Sequence, residues 1–228
     1  MHLVIFDVDG TLVQSMECDA RAYLRTLEDV CGIVAVNPDW SSYRNSTDSG
    51  IFREAFERQI GRLPEDSEIA TFQRHFLSRI SAELDAVPLR PVLGAVETLR
   101  DLNASDATAV SMATGAWSES ARLKLASAGI DFDSFPSATA DDHEARSAII
   151  SLAIERAARA YSVASFDRAI YVGDGIWDAR ACRELSIPFL GVATGSSATQ
   201  LRREGAIDVV SDLQRFDCVL CSHFADAA

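Results

Sequence analysis

At 228 residues and 48% hydrophobic, the chain is long enough for one good-sized core, or for a core domain carrying a smaller one, and its composition excludes a disordered polymer. A formal charge of −13 argues against nucleic acid and anionic membrane as partners, since both select a basic face. No apolar run approaches the length of a membrane span.

The amino terminus enters a strand almost at once, without the basic segment, apolar stretch and cleavage site of a secretion signal. Five cysteines, Cys18, Cys31, Cys182, Cys218 and Cys221, form an odd, scattered set that fits reduced thiols better than a disulfide framework. A cytoplasmic protein is expected. Cys218-x-x-Cys221, with His223 nearby, lacks the second ligand pair of a zinc site and lies in an apolar segment, so buried thiols are expected there rather than metal.

The run Leu3-Val4-Ile5-Phe6 predicts a buried strand that delivers Asp7-Val8-Asp9-Gly10-Thr11 to its end. Residues two apart share a strand face, so Asp7 and Asp9 can point into one small volume, and Gly10 lets the chain turn away. Two carboxylates that close need a cation or a proton between them, which suits a metal site or a nucleophile paired with a general acid. A polar turn after a core strand is the competing reading. An EF-hand is excluded, because its glycine falls two residues later and its closing glutamate is absent.

Helical spacing then runs through Met16, Ala20, Tyr23, Leu24, Leu27 and Cys31 to Gly32. A loop from Asn37 passes Trp40, Tyr43 and Arg44 to the polar string Asn45 to Gly50. Further helices carry Ile51 to Ile60 and, from about Pro64, the face Ile69, Phe72, Phe76, Ile80 and Leu84. Residues 15–87 thus read as a compact helical unit without strands. From Pro88 the pattern alternates: a helix over 92–102, a strand over 108–113 ending at Thr114-Gly115, and a helix over 118–128. A short strand near 137–139, a helix over 145–160 and a strand over 169–172 opening into Gly173-Asp174-Gly175-Ile176-Trp177-Asp178 come next. A helix through Leu185, a strand over 188–192, a helix over 198–204, a strand over 207–210 and a terminal helix complete the chain.

This alternation predicts an α/β fold, a doubly wound parallel sheet, with a second, smaller all-α domain. The core would be 1–14 and 88–228, and the helical domain 15–87. Ligands of such sheets bind at the carboxyl ends of the strands. Asp7, Thr114 and Asp174 all fall at such ends, which the polar-turn reading does not predict.

These residues resemble the haloacid dehalogenase superfamily over the whole chain. Its first motif stands as Asp7 to Thr11, its second as Thr114, and its fourth as Gly173-Asp174 through Asp178. The helical unit resembles the α-helical cap of the phosphoglycolate-phosphatase-like branch. The third motif departs from the pattern: a lysine is usual before the fourth motif, yet the single lysine, Lys124, lies too early in the chain. Arg146 is the best positional substitute, with His143 beside it as a partly charged alternative.

The resemblance implies a phosphatase of a small phosphorylated metabolite, with Asp7 as nucleophile and Asp9 as general acid and base. Crowding by carboxylates would give Asp9 a reason to hold a proton. It implies Mg2+ held by the Asp7 side chain, the Asp9 carbonyl and Asp174, with Asp178 acting through water or orienting the site. Thr114 and the amide of Gly115 at a helix start would hold phosphate, Arg146 would offset charge, and the cap residues Tyr43, Arg44, Thr47 and Asp48, with Trp40, would select the substrate. A monomer or homodimer is expected. A sugar phosphomutase shares this pattern; a 2-haloacid dehalogenase lacks Asp9's counterpart; an idle phosphate-binding or regulatory module is the third alternative.

Overall fold

The computed structural model describes residues 1–225. Six strands form one parallel sheet: β1 (His2–Phe6), β2 (Thr108–Ala113), β3 (Ser137–Ala138), β4 (Ala169–Gly173), β5 (Phe189–Val192) and β6 (Asp208–Val210), in the spatial order β3-β2-β1-β4-β5-β6. The apolar run of β1 explains its central place. Alternate residues face opposite ways, and both faces are buried, with Val4 and Phe6 on one side and Leu3 and Ile5 on the other.

The first face is covered by α4 (Ala95–Asn103), α5 (Ser118–Ser127) and α9 (Phe216–Ala225) through Leu99, Leu125 and Phe216. The second is covered by α6 (Arg146–Ala160), α7 (Ile176–Leu185) and α8 (Gly195–Arg203) through Ile149, Cys182 and Leu201. The sheet is therefore doubly wound, as its alternation predicts.

Between β1 and α4 lie α1 (Met16–Cys31), α2 (Asp48–Ile60) and α3 (Asp66–Ala86), which contain no strand. They share a separate aromatic cluster in which Tyr23, Phe52, Phe72 and Phe76 pack around Trp117 from the sheet unit. On α1 the buried residues are Ala22, Tyr23, Thr26 and Leu27, so the inward stripe is rotated from the one expected through Ala20 and Leu24. Thr26 can sit inside because its hydroxyl donates to the Ala22 carbonyl at 2.7 Å.

Two further expectations are corrected. Helix α8 starts at Gly195, three residues before the predicted Ala198. Cys218 and Cys221 are exposed, because α9 turns Phe216 and Leu220 inward and its cysteines fall on the other face. All five cysteines are free, and no helix among the described residues is long and apolar enough to cross a membrane.

Candidate active site

Register alone brings the strand ends together. Phe6 pairs with Met112 on one side and Val172 on the other, so Asp7, Thr114 and Asp174 emerge from three adjoining strands at the same edge. The Asp7 amide still donates to the Val172 carbonyl at 2.9 Å. The turn that follows needs Gly10: its φ is +78°, and a Cβ there would sit 2.1 Å from Asp174 Oδ2.

Asp7, Asp174 and Asp178 each place a carboxylate oxygen within 4.8 Å of the others. Asp178 is fully buried, takes the Gly175 amide on Oδ2 at 3.3 Å, and has the Tyr171 hydroxyl 3.2 Å from Oδ1. Arg146, at the first turn of α6, meets Asp7 Oδ1 with Nη1 at 3.1 Å and lies with Nε 3.2 Å from Asp178 Oδ1. Its Nη2 also donates to the Ser46 carbonyl at 3.4 Å. Gly115 permits this placement, since a Cβ there would meet Arg146 Nη2 at 2.8 Å and the Ser46 carbonyl at 3.0 Å. Gly115 itself precedes α5 by three residues, so its amide belongs to a loop rather than to the helix start expected for it. Thr114 is buried beside it, and its Oγ1 accepts from the Ala116 amide at 3.1 Å.

Burial is the largest influence on these carboxyls. It raises Asp7 from 3.8 to about 7, with Asp178 adding to the rise and Arg146 opposing it. Burial and the charge of Asp7 likewise hold Asp174 well above the usual carboxylate range. Asp174 Oδ1 is buried with no hydrogen-bond partner among the described residues. Three hard oxygen donors, one of them orphaned, are a fitting set for a divalent cation.

The folded Asp7 carboxyl therefore binds its proton more tightly than the unfolded one. Between pH 4 and about 7 the native state carries the extra proton, so metal-free stability falls as pH rises through that window. A divalent cation opposes the same repulsion. Thermal melting in EDTA and in Mg2+ is expected to give a larger metal-induced rise at pH 8 than at pH 5. Equal rises at both values would separate metal binding from these carboxylates.

Asp9 stands apart from that trio. Its Oδ1 accepts from Ser15 Oγ in a short hydrogen bond, and its Oδ2 lies 2.7 Å from Lys124 Nζ. Its direct partners are a cation and a hydroxyl, while the expected carboxylate neighbours are also near, its charge helping to raise Asp7, Asp174 and Asp19. Lys124 has no exposed surface, and its Nζ also meets Asp19 Oδ1 on α1 at 2.6 Å. The sequence points to Lys124 only as a lysine too early in the chain for the third motif, and it does not point to Asp19. The signals were present: Lys124 shares a helix face with the buried Ala121 and Leu125, and Asp19 lies one turn before buried Tyr23.

Asp7, Asp9, Asp19, Thr114, Gly115 and Arg146 line a cavity of about 70 Å³ between the sheet edge and the helical unit, room for on the order of five waters. Thr47 caps α2 by accepting from the Gly50 amide at 3.1 Å and donates to the Glu144 carbonyl at 2.8 Å. Asp48 is buried, and its Oδ2 accepts from the Trp117 amide at 2.9 Å. Thr47, Asp48 and Trp40 line the cavity; Tyr43 and Arg44 do not. Tyr43 is packing: its hydroxyl donates to the Asn37 carbonyl at 3.1 Å and Arg58 lies over its ring. Arg44 is exposed and borders a different depression, near Arg180 and Glu184. His143 also faces elsewhere, accepting through Nδ1 from the Ala145 amide at 2.9 Å.

A family model described as a haloacid dehalogenase-like hydrolase matches residues 1–185. The chain belongs to that family. No curated protein is similar to this hydrolase in sequence. Its fold is similar to that of a hydrolase from Pseudomonas syringae, 21% identical, with all of both chains covered and a TM-score of 0.74. It is also similar to a variant of CbbY from Rhodobacter sphaeroides in complex with xylulose 1,5-bisphosphate, 18% identical, covering 93% of this chain and 95% of that one at a TM-score of 0.68. A third similar structure, from Haemophilus somnus, is titled a predicted phosphoglycolate phosphatase; it is 17% identical, with 96% and 97% covered and a TM-score of 0.65. At these identities the likeness is one of fold.

Proposed function

We propose that this hydrolase is a magnesium-dependent phosphomonoesterase acting on a small phosphorylated metabolite, with an aspartyl-phosphate formed on Asp7. The observation that carries the reading is the division of labour between the two aspartates. Asp7 sits among carboxylates and a guanidinium, whereas Asp9 is held across the same cavity by Lys124 and Ser15. The first environment suits a nucleophile beside a metal, and the second fixes a carboxyl where a leaving group would stand.

Asp7 attacks phosphorus while the bond to the leaving oxygen breaks, and Asp9 gives that oxygen its proton. Asp9, now a carboxylate, takes a proton from water as the water oxygen attacks the aspartyl-phosphate, which returns Asp7 and releases inorganic phosphate. Thr114 and the backbone at Gly115 orient the phosphoryl oxygens, and Arg146 offsets their charge as it redistributes. Asp7, Asp174 and the Asp9 carbonyl would hold Mg2+, with Asp178 orienting Arg146. Bound there, the ion supplies Lewis-acid polarisation of the phosphoryl group.

Residues 15–87 act as a cap over a core of 1–14 and 88–228, and the cavity lined from both units supports that role. The free thiols suit a reducing cytoplasm. With p-nitrophenyl phosphate, release of inorganic phosphate in Mg2+ is expected to exceed that in EDTA by about 100-fold or more. Metal-indifferent turnover, or halide release from a 2-haloacid in its place, would overturn the proposal.

A further inference from the structure

Resting on the phosphomonoesterase reading, the charge and hydrogen bonding of the cavity carry it further, to the chemistry of the leaving group. Beyond Asp9 the helical unit supplies Met16, Asp19, Tyr23, Trp40, Asp48 and Ile51 to the cavity wall. Two of these are acids and none is basic. Arg146 is the one cation among the lining residues, and it is engaged by Asp7, Asp178 and the Ser46 carbonyl. Lys124 has no exposed surface, and its charge is shared between Asp9 and Asp19.

The two acids also have unused acceptors. Asp19 receives Lys124 on Oδ1 and Asp48 receives the Trp117 amide on Oδ2, while no hydrogen bond from the described residues reaches Asp19 Oδ2 or Asp48 Oδ1. Asp19 also helps, after burial, to push the Asp48 carboxyl up, which places the two acids in one neighbourhood of the cavity wall. Tyr23 and Trp40, edge to face with centroids 6.0 Å apart, add aromatic wall beside the two acids and no positive charge.

We infer that the substrate is the phosphomonoester of a small alcohol that carries no second anionic group and offers hydroxyl or ammonium donors to Asp19 and Asp48. A carboxylate or second phosphate on the leaving group would enter beside two acids, with the one lining cation, Arg146, already engaged. Asp19 thereby becomes a specificity-determining residue, which its place one turn into the first cap helix makes possible.

The test compares phosphate release, in Mg2+, from ethanolamine phosphate, glycerol 3-phosphate, 2-phosphoglycolate and p-nitrophenyl phosphate. The first two are expected to exceed 2-phosphoglycolate by at least about tenfold in kcat/KM. Asp19→Asn and Asp48→Asn should narrow that gap by about threefold or more, chiefly by lowering the KM for 2-phosphoglycolate. Parity or preference for 2-phosphoglycolate in the parent, or a gap untouched by both variants, would overturn the inference while p-nitrophenyl phosphate turnover left the phosphomonoesterase reading standing. Absence of phosphate release from every ester, the aryl one included, would overturn both.

Discussion

Asp7→Asn is expected to lower phosphate release by at least about three orders of magnitude while leaving the protein folded. The change keeps the volume and removes one charge from three carboxylates that lie within 4.8 Å of one another. Burial already drives the folded Asp7 carboxyl to about 7, so the ionised form is the strained one at neutral pH. Asparagine has no such form. The metal-free variant should therefore melt at or above the parent's temperature at pH 8, even as turnover is lost. Steady-state kinetics with a phosphomonoester and a thermal melt read the two halves separately. Parent-like turnover would remove Asp7 from the chemistry, and a variant that fails to melt cooperatively would make its role structural.

Replacing Arg146 should show the second largest effect, on both stability and rate. Its guanidinium spans Asp7 and Asp178 with two different nitrogens, Nη1 at 3.1 Å and Nε at 3.2 Å. Alanine leaves both carboxylates buried without that partner, a class of change that costs about 3–5 kcal/mol. Loss of a donor aimed at developing phosphoryl charge costs about 10²–10³-fold in rate. Lysine restores a point charge but not the planar fork, so Arg146→Lys should fall between the parent and Arg146→Ala on both scales. Urea unfolding and kcat/KM measured in the same Mg2+ buffer test the order. An alanine variant with parent kinetics would leave Arg146 a purely structural bridge.

The strand ends were legible in the sequence because each is a short apolar run followed at once by a polar residue, and sheet order then places three of them side by side. Arg146 was legible through the resemblance, which implies a basic residue ahead of the fourth motif, and the start of α6 brings it to the same edge. Lys124 was not, because its place in the chain is remote from the third motif, while the fold brings α5 and position 124 to Asp9. Its spacing with Ala121 and Leu125 held the information, since a lysine on a buried helix face needs acidic partners. Tyr43 and Arg44 misled in the opposite direction. They sit in a polar loop, but the single turn at Trp40–Ser42 and the Asp39 side chain that caps it direct Tyr43 into packing and leave Arg44 outside. Loop chemistry marks where a ligand can be met; only the fold decides which side of the loop meets it.

Lys124 has one more property, which belongs to the bench rather than to the reaction. It is the only lysine in 228 residues, every other basic side chain being arginine or histidine. With no surface exposed and both α1 and α5 contributing to its enclosure, its amine is shielded from an acylating reagent while Asp19 remains against it. Swinging α1 away from α5 would take Asp19 off the amine and open that side of it. Mass spectrometry of a single acyl adduct on the tryptic peptide around position 124 thus becomes a clock for the parting of these two helices, read without a fluorophore, an engineered cysteine or any change to the native chain.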